Sequence, residues 1–226
     1  MRGKILEIAC FNLQSAIIAQ QAGADRIELC EDYVAGGITP SREMILQAKK
    51  AVQIPLHVII RPRAGDFYYT AQEVEQMKKD IAFCKTHHIN GVVLGCLTSE
   101  KKVDLKLCKE LLNLSRPMTV TFHRAIDICE NILEEVEHLV EMGFDRVLTS
   151  GGKKTALEGK DNLRKLSEKF EGKIILLAGG GIRSTNISEI LRAANCSEYH
   201  SAAFVGSSTV CDATEIKNLK KSFNSI

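Results

Sequence analysis

The chain has 226 residues, of which 45% are hydrophobic, 26% charged and 5% aromatic, with no Trp. This is the composition of a soluble globular protein and excludes a disordered or collagen-like chain. Thirty Lys and Arg against 28 Asp and Glu leave a formal charge of +2 without any basic block, so the footprint of a DNA- or RNA-binding protein is missing. No apolar run reaches the roughly 18–20 residues of a spanning helix, so no membrane partner is expected.

In chain order, short β-branched runs at 5–10, 26–30, 56–61, 91–94, 118–123, 146–149, 174–178 and 198–201 read as strands. Between them lie amphipathic stretches at about 12–22, 41–52, 71–87, 104–114, 131–142, 160–170 and 185–194, and a last one over 213–223. Thr39-Pro40 reads as a cap with Pro in the first turn, and Ser184 as the cap of the seventh helix. Gly23 and Gly143 sit where a helix should stop before the next strand. Eight strands each followed by a helix predict parallel pairing with right-handed crossovers, and the length suits a compact (β/α)8, TIM-like barrel of the α/β class. The whole chain, 1–226, is then one domain, with 210–226 as a C-terminal helical segment. Gly23-Ala24-Asp25-Arg26-Ile27 echoes Gly143-Phe144-Asp145-Arg146-Val147, four units apart. The alternative, an open doubly wound sheet, would carry a GxGxxG fingerprint at the first turn, where Cys10-Phe11-Asn12 stands instead.

In a barrel the chemistry collects at the C-terminal ends of the strands. There the sequence places Glu7, Glu28, His57, Arg61, Thr121 and His123, then Arg124 and Asp127. Each carboxylate alone could serve only to pair with Arg61 or Arg124 inside the barrel. As a set, two Glu, two Arg and two His at one end of four strands suggest a site. The loops Ser150-Gly151-Gly152 and Gly179-Gly180-Gly181 offer backbone N–H groups to an anion, although Gly also serves tight turns. No lysine at a strand end supports Schiff-base chemistry, and GxSxG, P-loop and HExxH motifs are absent. Acid–base chemistry stays open: Glu7 or Glu28 as base, His123 as acid or electrophile, Arg61 or Arg124 against developing charge.

Eight cysteines in a chain without an export signal should be reduced thiols, because the apolar N-terminal stretch is broken by Glu7. Cys84, Cys108 and Cys196 lie at apolar helical places. Cys10, Cys30 and Cys96 fall at or just past strand ends, and without CxxC spacing a structural zinc is disfavoured. Thiols converging there would suit Cu(I), which favours sulfur.

The segments Gly23–Cys30, Gly36–Ser41, Ile60–Arg63 with Gly65-Asp66-Phe67, Val120–Ala125 with Asp127, Leu148–Gly152 and His200-Ser201 together resemble the CutC family of copper homeostasis proteins. The resemblance runs from Glu7 to about Ser201. Ala64 stands where that family commonly has Gly, Ile126 where it commonly has Phe, and the region after Ser201 diverges. It implies a TIM-like barrel, a cytoplasmic setting, a homo-oligomer (dimer or tetramer) and copper as partner. The family's copper thiol falls on Cys30, and from its place at a strand end Cys10, or else Cys96, is the candidate second ligand. Two functions follow: a copper-handling protein holding Cu(I) at Cys30 with help from Cys10 or Cys96, or a barrel enzyme using acid–base chemistry on a small phosphorylated or carboxylated metabolite (isomerase, lyase or hydrolase).

Overall fold

The computed structural model describes residues 3–223. Eight parallel strands close into a barrel in sequence order: β1 (Ile5–Cys10), β2 (Arg26–Leu29), β3 (Leu56–Ile59), β4 (Gly91–Leu94), β5 (Thr119–Phe122), β6 (Arg146–Thr149), β7 (Ile175–Ala178) and β8 (Glu198–Ser201). β8 pairs back onto β1, with Glu7 beside His200. The outer ring is α1 (Leu13–Gln21), α2 (Arg42–Ala51), α3 (Ala71–Thr86), α4 (Leu105–Ser115), α5 (Ile132–Met142), α6 (Lys160–Lys169), α7 (Ile187–Ala193) and α8 (Ala213–Phe223). The predicted single-domain barrel is thus the fold, and of the expected C-terminal segment 210–226 the last three residues lie outside the described ones.

Alternation along each strand splits its residues between two cores. Leu6, Ile8, Ile27, Leu29, Val58 and Val92 face the helices and belong, with residues of β5 to β8 such as Phe122 and Tyr199, to the main apolar cluster. The residues between them face the barrel axis, and there the chain is unusually polar: Glu7, Arg26, Glu28, His57 and Glu198 are all buried. A separate small apolar cluster of Cys30, Ile59 and Val93, with Phe11 packed on it, lines the axis towards the C-terminal end.

The internal echo has a physical origin. Gly23 and Gly143 both have positive φ (94° and 88°), which ends the preceding helix. Asp25 and Asp145 then each accept a backbone N–H from the preceding strand, of Leu6 (2.7 Å) and Val120 (2.8 Å). Arg26 and Arg146 follow, turn inwards and meet on one carboxylate, Glu198. Two of the predicted caps are corrected. Ser41, not Thr39, caps α2 by accepting from Met44 N, while the Thr39 hydroxyl accepts from Arg61 N at 2.8 Å. Asn186 precedes α7, and the Ser184 hydroxyl donates to Glu215 instead (2.6 Å).

Candidate functional site at the barrel mouth

The axis of the barrel carries a ladder of charge. At its lower level Arg26 donates to both Glu7 and Glu198, and Arg146 Nε donates to Glu198 at 2.9 Å. Every carboxylate there has a cationic partner. One level up, His200 Nδ1 lies 2.8 Å from Glu7 Oε1, and His200 Nε2 lies 3.6 Å from Glu28 Oε2. The expected pairing of Glu7 or Glu28 with Arg61 or Arg124 is not made: Arg26 and His200 take those places.

These neighbours set the protonation states apart. Burial pushes the Glu7 carboxyl up, but Arg26 and the hydrogen bond to His200 outweigh it and hold Glu7 below the usual carboxylate range. Glu28 lacks such a partner. Burial, reinforced by the nearby Glu7 charge and only partly offset by His200, raises it to about 7. Burial lowers His200, yet its hydrogen bond to Glu7 and the Glu28 charge raise it further, so the net shift is upwards. Glu7 therefore orients His200 and keeps it basic, while Glu28 is poised to exchange a proton near neutrality.

Across the mouth His123 is buried and stacked on Phe67 with centroids 4.9 Å apart. Its Nδ1 accepts from Ala125 N (3.3 Å), which places the proton on Nε2, and Nε2 has no partner among the described residues. Burial, then the Arg61 charge, lowers its pKa to about 3, so the ring is neutral and offers an N–H. Gly95 makes room for it: a Cβ there would stand 2.5 Å from His123 Nδ1.

Arg61 has a different task from charge clamping. Its Nη atoms donate to the carbonyls of Ala35 (2.8 Å), Gly37 (2.9 Å) and Gly65 (3.0 Å), tying the loops after β2 and β3 to the mouth. Arg124 is the more exposed of the two, although its Nη2 also reaches the carbonyls of Lys153 and Lys154 (3.3 Å each). Its Nε donates to Asp127 (2.8 Å) and its Nη2 to Ser150 Oγ (2.9 Å), and Nη1 lies beside Gly180, where a Cβ would stand 3.3 Å from it.

The two Gly loops differ. The amides of Ser150 and Gly152 both donate to Asp127 at 3.0 Å, and Gly151 N donates to Thr149 Oγ1 at 2.9 Å. That loop is already filled by the protein's own carboxylate. Gly179 N donates to Thr149 O within the sheet. Gly180 and Gly181, both with positive φ, have amides that donate to no group among the described residues, and Gly180 lies against the Arg124 guanidinium while Gly181 lies beside Thr155. Of the six residues expected to hold an anion, Ser150, Gly151, Gly152 and Gly179 have their amides bonded within the protein, and Gly180 and Gly181 do not among the described residues.

The thiols do not converge. Cys30, on the inward face with Glu28, reaches the mouth, and burial followed by the Glu28 charge raises its pKa well above the ordinary thiol value. Cys10, three residues beyond Glu7, faces the helices, donates to Ile8 O and meets Cys211 there. Cys96 also belongs to that outer cluster. The group of donors that comes together is Glu7, Glu28 and His200, whose ligating atoms lie within 4.8 Å of one another. Oxygen and imidazole suit a divalent ion better than Cu(I), and Arg26 sets a fixed positive charge against it. Arg26, Arg146 and Glu198 carry no strand-end signal in the sequence beyond the paired Asp-Arg echo, and His57, expected at the C-terminal mouth, lies with them at the other end of the barrel. With Thr119 and Asn90 they line a cavity of about 600 Å³ at the opposite, N-terminal end of the barrel.

The sequence matches the profile of the CutC family over residues 4–205. It is 42% identical over 201 residues to the human copper homeostasis protein cutC homolog, covering 89% of this chain and 74% of the human one. It is 40% identical over 198 residues to a family protein CutC of Histophilus somni, covering 88% of this chain and 82% of that protein. A solved CutC structure from Streptococcus agalactiae superposes with a TM-score of 0.84 at 28% identity, covering 88% of this chain and 98% of that one.

Proposed function

This chain belongs to the CutC family, and from that premise we propose that it is an enzyme of the barrel mouth, moving protons on a small phosphorylated or carboxylated metabolite as an isomerase, lyase or hydrolase. One observation carries the reading: two neighbouring carboxyls are driven apart, Glu7 fixed as an anion and Glu28 raised to about 7, opposite a neutral His123 with a free N–H. Such separation assigns acid and base roles. Glu28 takes the proton from the substrate, with His200 stabilising the exchange and Glu7 holding His200 in place. His123 Nε2–H donates to the oxygen on which charge develops. Arg124 and the amides of Gly180 and Gly181 hold the anionic group, in the region where barrels commonly bind phosphate. Arg61 and Asp127 are positioning residues, one for the loops and one for Arg124 and the loop after β6. A thermal-shift panel of sugar phosphates and organic acids tests the proposal: saturable stabilisation is expected in wild type and not in Arg124→Ala or Gly180→Ala. A broad panel in which no anion raises the melting temperature removes it.

A second reading has one observation in its favour. Cys30 presents a thiol to the mouth, and relatives are named copper homeostasis proteins. Copper would then be cargo, held by Cys30 with release of its proton. Cu(I) prefers two sulfur donors, and Cys10 faces the other side of the sheet, so this reading stands second. Anaerobic Cu(I) titration against a competing chelator separates them: tight binding lost in Cys30→Ser supports copper, and equal binding by both proteins removes it.

A further inference from the structure

The mouth has a second wall of quite different chemistry. Among only twelve aromatic residues in the chain (eight Phe, four Tyr), three gather at one side of the C-terminal rim. Phe11 follows β1, Tyr33 lies in the loop after β2 and Phe204 follows β8. Their centroids are 5.2 Å (Phe11–Tyr33), 4.9 Å (Tyr33–Phe204) and 5.8 Å (Phe11–Phe204) apart. Tyr33 is 48% exposed. A scattered exposed ring needs no explanation, but three rings in edge-on and tilted contact at a barrel mouth, with Tyr33 exposed over a buried Phe204, do. The cluster is continuous with the interior, because Phe11 packs on the inward-facing Cys30, Ile59 and Val93. Aromatic rim and apolar floor thus form one surface leading from solvent to Glu28 on the same strand as Cys30.

In the closed ring β5 lies opposite β1 and β6 opposite β2, while β7 pairs with β8. Arg124, after β5, therefore stands across the mouth from Phe11, and Gly180, against the Arg124 guanidinium, lies between it and the β8 side of the rim. Eight strands about 4.8 Å apart and tilted about 36° close a ring about 15 Å across, backbone to backbone. That width, shared with the side chains of both walls, limits the spacer between the two ends to one sugar or an equally short chain.

We infer that the substrate is two-ended: a phosphate or carboxylate held by Arg124, Gly180 and Gly181, joined through a sugar-sized spacer to a planar unsaturated ring that packs on Phe11, Tyr33 and Phe204. This rests on the enzyme reading and adds to it the class of the substrate. The spacer would lie over Glu28, His200 and His123, so the proton transfer falls on the atoms between anion and ring. A ring in this place gains edge and face contacts that a bare sugar phosphate lacks.

Calorimetric titration of the full chain with inorganic phosphate, ribose 5-phosphate, AMP and UMP tests the inference, because the last three share a phosphopentose and differ in the ring. At least tenfold tighter binding of AMP or UMP than of ribose 5-phosphate is expected. Tyr33→Ala and Phe204→Leu should reduce that ratio to within twofold while leaving ribose 5-phosphate affinity unchanged. Arg124→Ala should weaken all four. If phosphate and ribose 5-phosphate bind but the ring adds nothing, the two-ended substrate is wrong and the anion site survives. If the nucleotides bind with a dependence on Tyr33 and inorganic phosphate does not compete, the ring subsite survives and the anion assignment fails. No binding of any probe overturns both. If Tyr33→Ala changes the oligomeric state by light scattering and not the ring preference, the rim is a contact between copies and the inference is overturned.

Discussion

The lower axis of the barrel and its mouth are built from the same residue types and do opposite things with them. Below, Glu7, Arg26, Glu198 and Arg146 neutralise one another in hydrogen-bonded pairs, at the end of barrels where charge usually serves stability. Above, among the described residues, Glu28 pairs with no guanidinium, His123 Nε2 has no partner, and the amides of Gly180 and Gly181 donate to no group. A buried charge whose partners are complete is scaffold, whereas one left short of partners is available to a ligand. Glu7 and Glu28 are separated by this criterion, not by residue type or depth.

Breaking the lower ladder should have the largest effect. Arg26→Met takes the shared guanidinium from two buried carboxylates, leaving Glu7 hydrogen-bonded only to His200 and Glu198 only to Arg146 among the described residues, and should cost about 3–5 kcal/mol in urea unfolding. A loss below about 1 kcal/mol would show that the ladder is not the scaffold described. Asp127→Ala comes next: it strands the buried Ser150 amide, at about 1–3 kcal/mol, and the half-buried Gly152 amide at less, and it releases Arg124. The same melts should show weaker anion stabilisation, and unchanged anion binding would mean that Asp127 does not position Arg124.

Glu28→Gln sharpens the contrast through pH. The folded state raises Glu28 from 4.5 to about 7, so it favours the protonated carboxyl. The stability this group contributes is present below pH 4.5 and is lost as pH rises through 7. Wild type should therefore lose stability relative to Glu28→Gln across that window, and a pH-independent difference would contradict the assignment. The smallest signal is spectroscopic. Imidazole ¹⁵N shifts of His123 should report one neutral Nε2–H tautomer with no titration from about pH 4 to 8, whereas a midpoint near 6.5 would remove its role as a neutral donor. Gly95→Ala, which drives a Cβ onto that ring, should disturb these shifts without touching His200.

Much of this was legible before the structure. Strand and helix alternation carried the fold because each half-buried run keeps its period. The mouth residues Glu28, His123 and Arg124 were found because charge at strand ends is costly. The pairing of Cys10 with Cys30 was not sound even on sequence grounds: the period that turns Glu7 inwards turns Cys10, three residues later, outwards. What stayed hidden was tertiary. Nothing local shows that Arg61 spends its guanidinium on loop carbonyls, that Asp127 fills the loop after β6, or that Arg26 and Arg146 share Glu198 from strands four units apart.

The central claim is that the anion site lies at the mouth and not in the charged cavity at the other end. An amide ¹⁵N–¹H titration of the labelled chain with inorganic phosphate tests it most directly. Saturable shifts centred on Gly180 and Gly181 and abolished in Arg124→Ala are the predicted result. Shifts centred instead on Asn90, Thr119 and Arg146, or none at all up to tens of millimolar phosphate on the order of its weakest useful affinity, would contradict it.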